Sequence, residues 1–163
     1  MKVASFDIVF QEIPGEVTLA LNLSNCPCHC PGCHSKHLWE DIGEPLTEEL
    51  LSGLIDRYKG LITCVCFMGG DQDPEQVIRW AEWVKAYPQP LPEGKGGLKT
   101  AWYSGRQQAP FPASCPFNYI KFGPYIEALG GLKSPRTNQR LYKHVENEWV
   151  DITSSFWKKN LDL

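Results

Sequence analysis

Val3 to Phe10 (VASFDIVF) and Val17 to Leu23 (VTLALNL) mix apolar and polar positions at short period and read as strands. Gln11 to Glu16 between them carries a Pro14-Gly15 turn signal. From Thr47 to Tyr58 the spacing becomes helical. Leu50, Leu51, Leu54, Ile55 and Tyr58 share one face, Thr47 can cap the start, and Gly60 ends the helix. Leu61 to Met68 (LITCVCFM) is an almost unbroken apolar run, as expected of a strand buried on both faces in a parallel sheet, and Gly69-Gly70-Asp71 follows it. Asp73-Pro74-Glu75-Gln76 is a helix start, with Asp at the cap, Pro in the first turn and Gln three residues after the cap. Val77, Ile78, Ala81 and Val84 form that helix's inner face, and Trp80, Trp83 and Tyr87 broaden it. After a Pro- and Gly-rich loop over 88–97, Leu98 to Tyr103 and Tyr119 to Phe122 read as strands ending at Ser104-Gly105 and Gly123-Pro124. Arg140 to Val145 and Glu148 to Ile152 read as a hairpin around Glu146-Asn147.

Strand, loop and helix in repeated succession predict one α/β domain over residues 1–163 with parallel strands and right-handed crossovers. The unusual residues all follow strands. In such folds ligands bind at the strands' C-terminal ends, so one face is expected to collect the chemistry.

A length of 163 residues fits a single domain, and a hydrophobic share of 42% supplies its core. A net charge of −3 argues against a general nucleic-acid binder. No window holds the roughly 18 apolar residues needed to cross a bilayer. The polar and acidic start, MKVASFDIVF, does not read as a signal peptide. The expectation is a cytoplasmic protein with neither membrane nor nucleic-acid partner.

The candidate chemistry lies in NLSNCPCHCPGCHSK, residues 22–36, where four of the seven cysteines stand. An odd number of cysteines excludes complete internal pairing, and a reducing compartment disfavours disulfides. Cys26, Cys30 and Cys33 form C-x-x-x-C-x-x-C, with Cys28 inside the first gap. A closed zinc site needs four ligands, and Cys28, His29, His34 or His37 are at hand. Structural zinc sites usually use two separated C-x-x-C pairs, however, and only Cys30/Cys33 forms one here. An iron–sulfur cluster suits the spacing better: three cysteines hold three irons and leave the fourth iron open. Pro27, Pro31 and Gly32 suit a stiff, tight loop.

C-x-x-x-C-x-x-C after a strand resembles the signature of radical S-adenosylmethionine enzymes. CPCHCPGCHSKHLW is similar to the cluster loop of the anaerobic ribonucleoside-triphosphate reductase activating proteins. FMGGDQDP (67–74) resembles that family's Gly-Gly-Asp-Pro segment, and KTAWYSG its strand ending in Tyr-Thr-Gly. KFGPYIEAL and SPRTNQRLY resemble its Asp-Gly-Pro and Ser-Asn-Gln-Arg segments. The likeness runs from about residue 17 to about residue 145. Lys121-Phe122-Gly123-Pro124 departs from it in lacking the acid before Gly123. Arg136-Thr137 departs too, and only Pro14-Gly15 remains of the N-terminal turn motif.

The resemblance implies a small, incomplete TIM-like barrel of parallel strands with flanking helices. It implies a [4Fe–4S] cluster on Cys26, Cys30 and Cys33 and S-adenosylmethionine as cofactor. Gly69 and Gly70 are expected to let backbone carbonyls approach the methionine ammonium, with Asp71 supporting that turn or meeting the ammonium. Gly32 and His34 are expected on the adenine side, and Tyr103 and Ser104 along the cofactor pocket. The implied partners are a large anaerobic ribonucleotide reductase, which receives a glycyl radical, and an electron donor such as a flavodoxin. Two other readings stay open: a radical enzyme with a small-molecule substrate, similar to 7-carboxy-7-deazaguanine synthases, and a non-catalytic zinc-binding module. Cys28 is read as a spare thiol, with alternative ligand as its other reading. Cys64 and Cys66 are read as strand core, Cys115 as a loop thiol, and Asn138 and Gln139 as partners of backbone groups.

Overall fold

A computed structural model describes residues 1–88, 96–107 and 115–157. Most of the loop read over 88–97 falls outside them. Eight strands form one sheet among the described residues: β1 (Lys2–Val9), β2 (Thr18–Leu23), β3 (Glu44–Pro45), β4 (Cys64–Met68), β5 (Lys99–Tyr103), β6 (Tyr119–Phe122), β7 (Arg140–Val145) and β8 (Glu148–Asp151). Their order is β3-β1-β2-β4-β5-β6-β7-β8. Helix α1 (Glu48–Arg57) lies between β2 and β4 in the chain, and α2 (Pro74–Ala86) between β4 and β5.

The sheet does not support an incomplete barrel made only of parallel strands. Its centre, β2-β4-β5-β6, is parallel, while β3-β1, β1-β2, β6-β7 and β7-β8 pair antiparallel. Connection length supplies the reason for the two hairpins, β1-β2 and β7-β8. Parallel neighbours need a crossover of a dozen or more residues, which the segments holding α1 and α2 provide. The turns at Pro14-Gly15 and Glu146-Asn147 are too short for one. Glu146 and Asn147 both take positive φ, 48° and 68°, as a two-residue hairpin turn of the primed type requires.

Both helices start as their caps dictate. Thr47 accepts the Leu50 N–H at 3.1 Å, and Asp73 accepts that of Gln76 at 3.1 Å. Leu51, Leu54 and Ile55 of α1 and Val77, Ala81 and Val84 of α2 are buried. They meet Leu19, Leu21 and Leu23 of β2, Val65 and Phe67 of β4 and Ile120 of β6 in one core. Burying a side chain such as Phe67 is worth about 1.5–3 kcal/mol. The other sheet face carries Cys64, Cys66, Ala101, Tyr119 and Leu141, closed by Ile13 with Leu132, Ile152 and Phe156. Cys64 and Cys66 are wholly buried.

That second face is graded from end to end. At the N-terminal ends of the parallel strands, Glu16 accepts hydrogen bonds from Lys99 Nζ at 2.5 Å, Thr63 Oγ1 at 2.7 Å and the Tyr119 hydroxyl at 2.7 Å. Burial alone pushes the Glu16 carboxyl up, but these donors and the Lys99 charge more than offset it, so its pKa lies below the ordinary value. A carboxyl depressed in the folded state contributes stability above its unfolded pKa and loses it as pH falls through the folded value. Glu16→Gln should therefore cost about 1–3 kcal/mol near pH 7 and progressively less in acid. Urea midpoints of both proteins at about pH 7 and about pH 3 check this. A gap that does not shrink on acidification would contradict it.

At the opposite end, one rank crosses the parallel strands: Asn22 faces Met68, Met68 faces Tyr103, and Tyr103 faces Lys121. Paired residues in a parallel ladder project from the same face, so this rank forms a floor. The rank below it holds Ala20, Cys66, Ala101 and Tyr119, mostly small residues.

Candidate metal centre

The chain leaves β2 at Leu23 and enters the cysteine loop, whose ends are clamped by main-chain bonds. Asn25 N–H donates to Glu40 O at 3.0 Å, and Cys26 N–H to Leu38 O at 2.9 Å. His29 stacks on Trp39 with ring centroids 4.8 Å apart. Asn25, His29 and Gly32 take positive φ (60°, 42° and 77°), which coils the loop tightly between these clamps. A Cβ at Gly32 would lie 3.1 Å from the Glu127 carboxylate.

The loop returns its sulfurs over the polar floor. Cys26, Cys28, Cys30 and Cys33 all line one cavity of about 200 Å³, with Met68, Tyr103 and Lys121 beneath them. Cys30 is buried and the other three are half-buried; all seven cysteines of the chain are free thiols. The Cys26 and Cys28 sulfurs and an Asp71 carboxylate oxygen lie within 4.8 Å of one another. A hydrogen bond from Cys28 lowers the Cys26 thiol to about 6, whereas the same bond, with burial, raises Cys28. Ser35 N–H points at Cys33 Sγ at 3.4 Å. Soft thiol donors converging on one cavity, one of them facing an amide, fit an iron–sulfur cluster.

Asp71 is 1% exposed and braces the site. Its Oδ1 accepts from Ser104 Oγ at 2.5 Å and its Oδ2 from Gly105 N–H at 3.0 Å. Arg106 reaches the Asp71 carbonyl at 2.6 Å and the carboxylate at 3.8 Å. The carboxylate thus ties the turn after β4 to the turn after β5. Of the two roles expected of Asp71, the bonds favour support of the turn.

The two neighbouring glycines differ. Gly69 lines the cavity with φ 100°, and its carbonyl accepts the Trp102 indole N–H at 2.8 Å. Gly70 turns away: a Cβ there would come 2.5 Å from Val77 Cγ2, so glycine is needed to seat α2 against the strand. Gly70 is not among the residues that line the cavity. Ser104 is fully buried and spends its hydroxyl on Asp71. Tyr103 stands between two cavities, and its hydroxyl donates to the Glu12 carbonyl. His34 packs edge-on against Tyr125 and lines the second cavity, of about 380 Å³, with Leu132 and Phe156.

Lys121 escaped sequence reasoning as a site residue. It is 8% exposed, and its ammonium donates to Gly123 O at 2.9 Å and Ser104 O at 3.2 Å. Burial pulls it down to about 8, against Asp71 and the cluster-loop cysteines, which favour its charge. YIKF alone does not reveal which face the lysine takes. Gln139 Nε2 bonds Gly123 O at 3.2 Å and Asn138 Nδ2 bonds Pro124 O at 3.0 Å, both backbone contacts.

A family model described as a 4Fe-4S single cluster domain matches residues 14–96, half of the chain, including the whole cysteine loop. No curated protein and no solved structure matches. No helix among the described residues is long and apolar enough to cross a membrane.

Proposed function

The chain belongs to the 4Fe-4S single cluster domain family, and from that premise we propose that it is a radical S-adenosylmethionine enzyme that generates the glycyl radical on an anaerobic ribonucleotide reductase. The observation that carries this reading is the convergence of the C-x-x-x-C-x-x-C sulfurs on a cavity at the C-terminal ends of parallel strands, beside Gly69. Cys26, Cys30 and Cys33 would hold the cluster and leave one iron for the cofactor's methionine end. The chemistry supplied when the cluster is bound is one-electron cleavage of S-adenosylmethionine to methionine and a 5′-deoxyadenosyl radical, which takes a hydrogen atom from a glycine Cα of the partner. The protein's part is binding, orientation and exclusion of water.

Each residue has a stated part in that work. Gly69 brings its backbone to the cavity wall at φ 100°, and a Cβ there would press on the Leu23 carbonyl at 3.1 Å. Lys121 places a buried cation beneath the anionic sulfurs and balances their charge. Leu38 and Trp39 line the same cavity and would shield a bound cluster from water. The second cavity shares Tyr103 and Tyr125 with the first. It suits the lateral approach of a glycine-bearing loop from the reductase.

Anaerobic reconstitution followed by dithionite, S-adenosylmethionine and a candidate reductase tests the reading. The expected result is 5′-deoxyadenosine together with a glycyl doublet by electron paramagnetic resonance. A colourless preparation holding stoichiometric zinc and no sulfide would sink it in favour of a zinc module. Cofactor cleavage without a doublet from any reductase would point to a small-molecule substrate.

A further inference from the structure

The geometry points to Cys28 as a fourth, displaceable ligand of the cluster, competing with S-adenosylmethionine for the same iron. The inference rests on the reading above that a cluster occupies this cavity. Three observations carry it. Cys28 Sγ lies within 4.8 Å of Cys26 Sγ and lines the cavity with Cys26, Cys30 and Cys33. Space is reserved for its sulfur, since a Cβ at Gly105 would stand 2.6 Å from Cys28 Sγ. The competing donors are engaged elsewhere. Both Asp71 oxygens take hydrogen bonds, Oδ1 from Ser104 and Oδ2 from Gly105 and from the Cys28 thiol itself at 3.7 Å, the one bond that ligation would break; His29 is stacked on Trp39; and His34 packs on Tyr125 in the second cavity. Iron–sulfur clusters prefer soft thiolates, so Cys28 is the remaining donor of the right kind.

Ligation forms one iron–sulfur bond and releases the Cys28 proton to solvent. Binding of S-adenosylmethionine breaks that bond, and the thiolate takes a proton back from water. No electron moves in either step. At rest all four irons are then thiolate-bound, the closed arrangement of a structural metal site, and the open position exists only while the cofactor competes for it. The labile iron is thereby retained when cofactor is scarce.

Reconstituted wild-type protein, Cys28→Ala and Cys28→Ser are oxidised with ferricyanide without S-adenosylmethionine, and the three-iron cluster signal is read by electron paramagnetic resonance. Cys28→Ser keeps the side chain's size and guards against a packing defect. The wild type should retain its fourth iron and give little signal, while both variants lose it and give a strong one. Optical titration should show S-adenosylmethionine binding about tenfold more tightly to Cys28→Ala, if Cys28 holds the iron roughly nine-tenths of the time. Equal three-iron signals, or an unchanged affinity, overturns the inference. The oxidation arm needs no substrate chemistry, so it decides the Cys28 assignment even if S-adenosylmethionine is never cleaved, an outcome that defeats only the function proposed above.

Discussion

Replacing Cys30 or Cys33 with alanine is expected to bring iron content from about four per chain to below one, and to abolish cleavage of S-adenosylmethionine. The loss should exceed the ~10–100-fold typical of removing an outer-shell partner, because a direct donor disappears. The argument is geometric. Cys30 is buried at the cavity wall, its carbonyl accepts the Cys33 N–H at 3.0 Å, and Cys33 in turn receives the Ser35 amide. The two sulfurs therefore leave one tight turn, whereas the Cys28 sulfur lies beside that of Cys26 rather than in that turn. Cys26→Ala should also lose cleavage but keep more iron, because the Cys28 sulfur lies within 4.8 Å of the place the Cys26 sulfur leaves. Iron and sulfide assays with measurement of 5′-deoxyadenosine check all three. Full iron and normal cleavage in Cys30→Ala would remove the ligand assignment.

The second large effect is expected at Asp71. Asp71→Ala leaves the buried Ser104 hydroxyl and the Gly105 N–H without acceptors, at a cost of about 2–5 kcal/mol. In a chain of this length that lowers Tm by roughly 5–15 °C. Asp71→Asn keeps one carbonyl acceptor and should lose about half as much. The damage should reach the cluster as well, because Gly105 lies against Cys28 and moves when its amide is released. Thermal melts of apo-protein separate the stability loss from the iron loss. An Asp71→Ala apo-protein melting within about 2 °C of wild type would show that the carboxylate does not brace the site.

Periodicity and caps made the helices and central strands legible, because local chemistry decides them. Asp73 with Gln76, and Thr47 with Leu50, act within a single turn. What local pattern does not carry is the pairing of distant segments. Glu44-Pro45 becomes a strand only because Lys2 and Val3 lie beside it. The site divides in the same way. The spacing of Cys26, Cys30 and Cys33 pointed to a shared metal, and the cavity gathers them. The same spacing made Cys28 look spare, since its place depends on Gly105, 77 positions further along the chain. Gly69 and Gly70 looked equivalent as a pair, and only the packing of Val77 separates them. Lys121 stayed hidden because a lysine within an apolar tetrapeptide reads as solvent-facing until the register with Tyr103 puts it on the floor of the cavity.

The mixed sheet has one more consequence, for self-association. A sheet that ends in open strands offers unpaired backbone to other copies of itself, and natural sheets guard against this with short strands, proline and charge. Here β3 is two residues long and ends in Pro45, while β8 places Glu148 and Asp151 around the exposed Val150. The antiparallel margins thus act as blunted borders. Short length, proline and charge thus guard both edges of the described sheet against edge-to-edge aggregation.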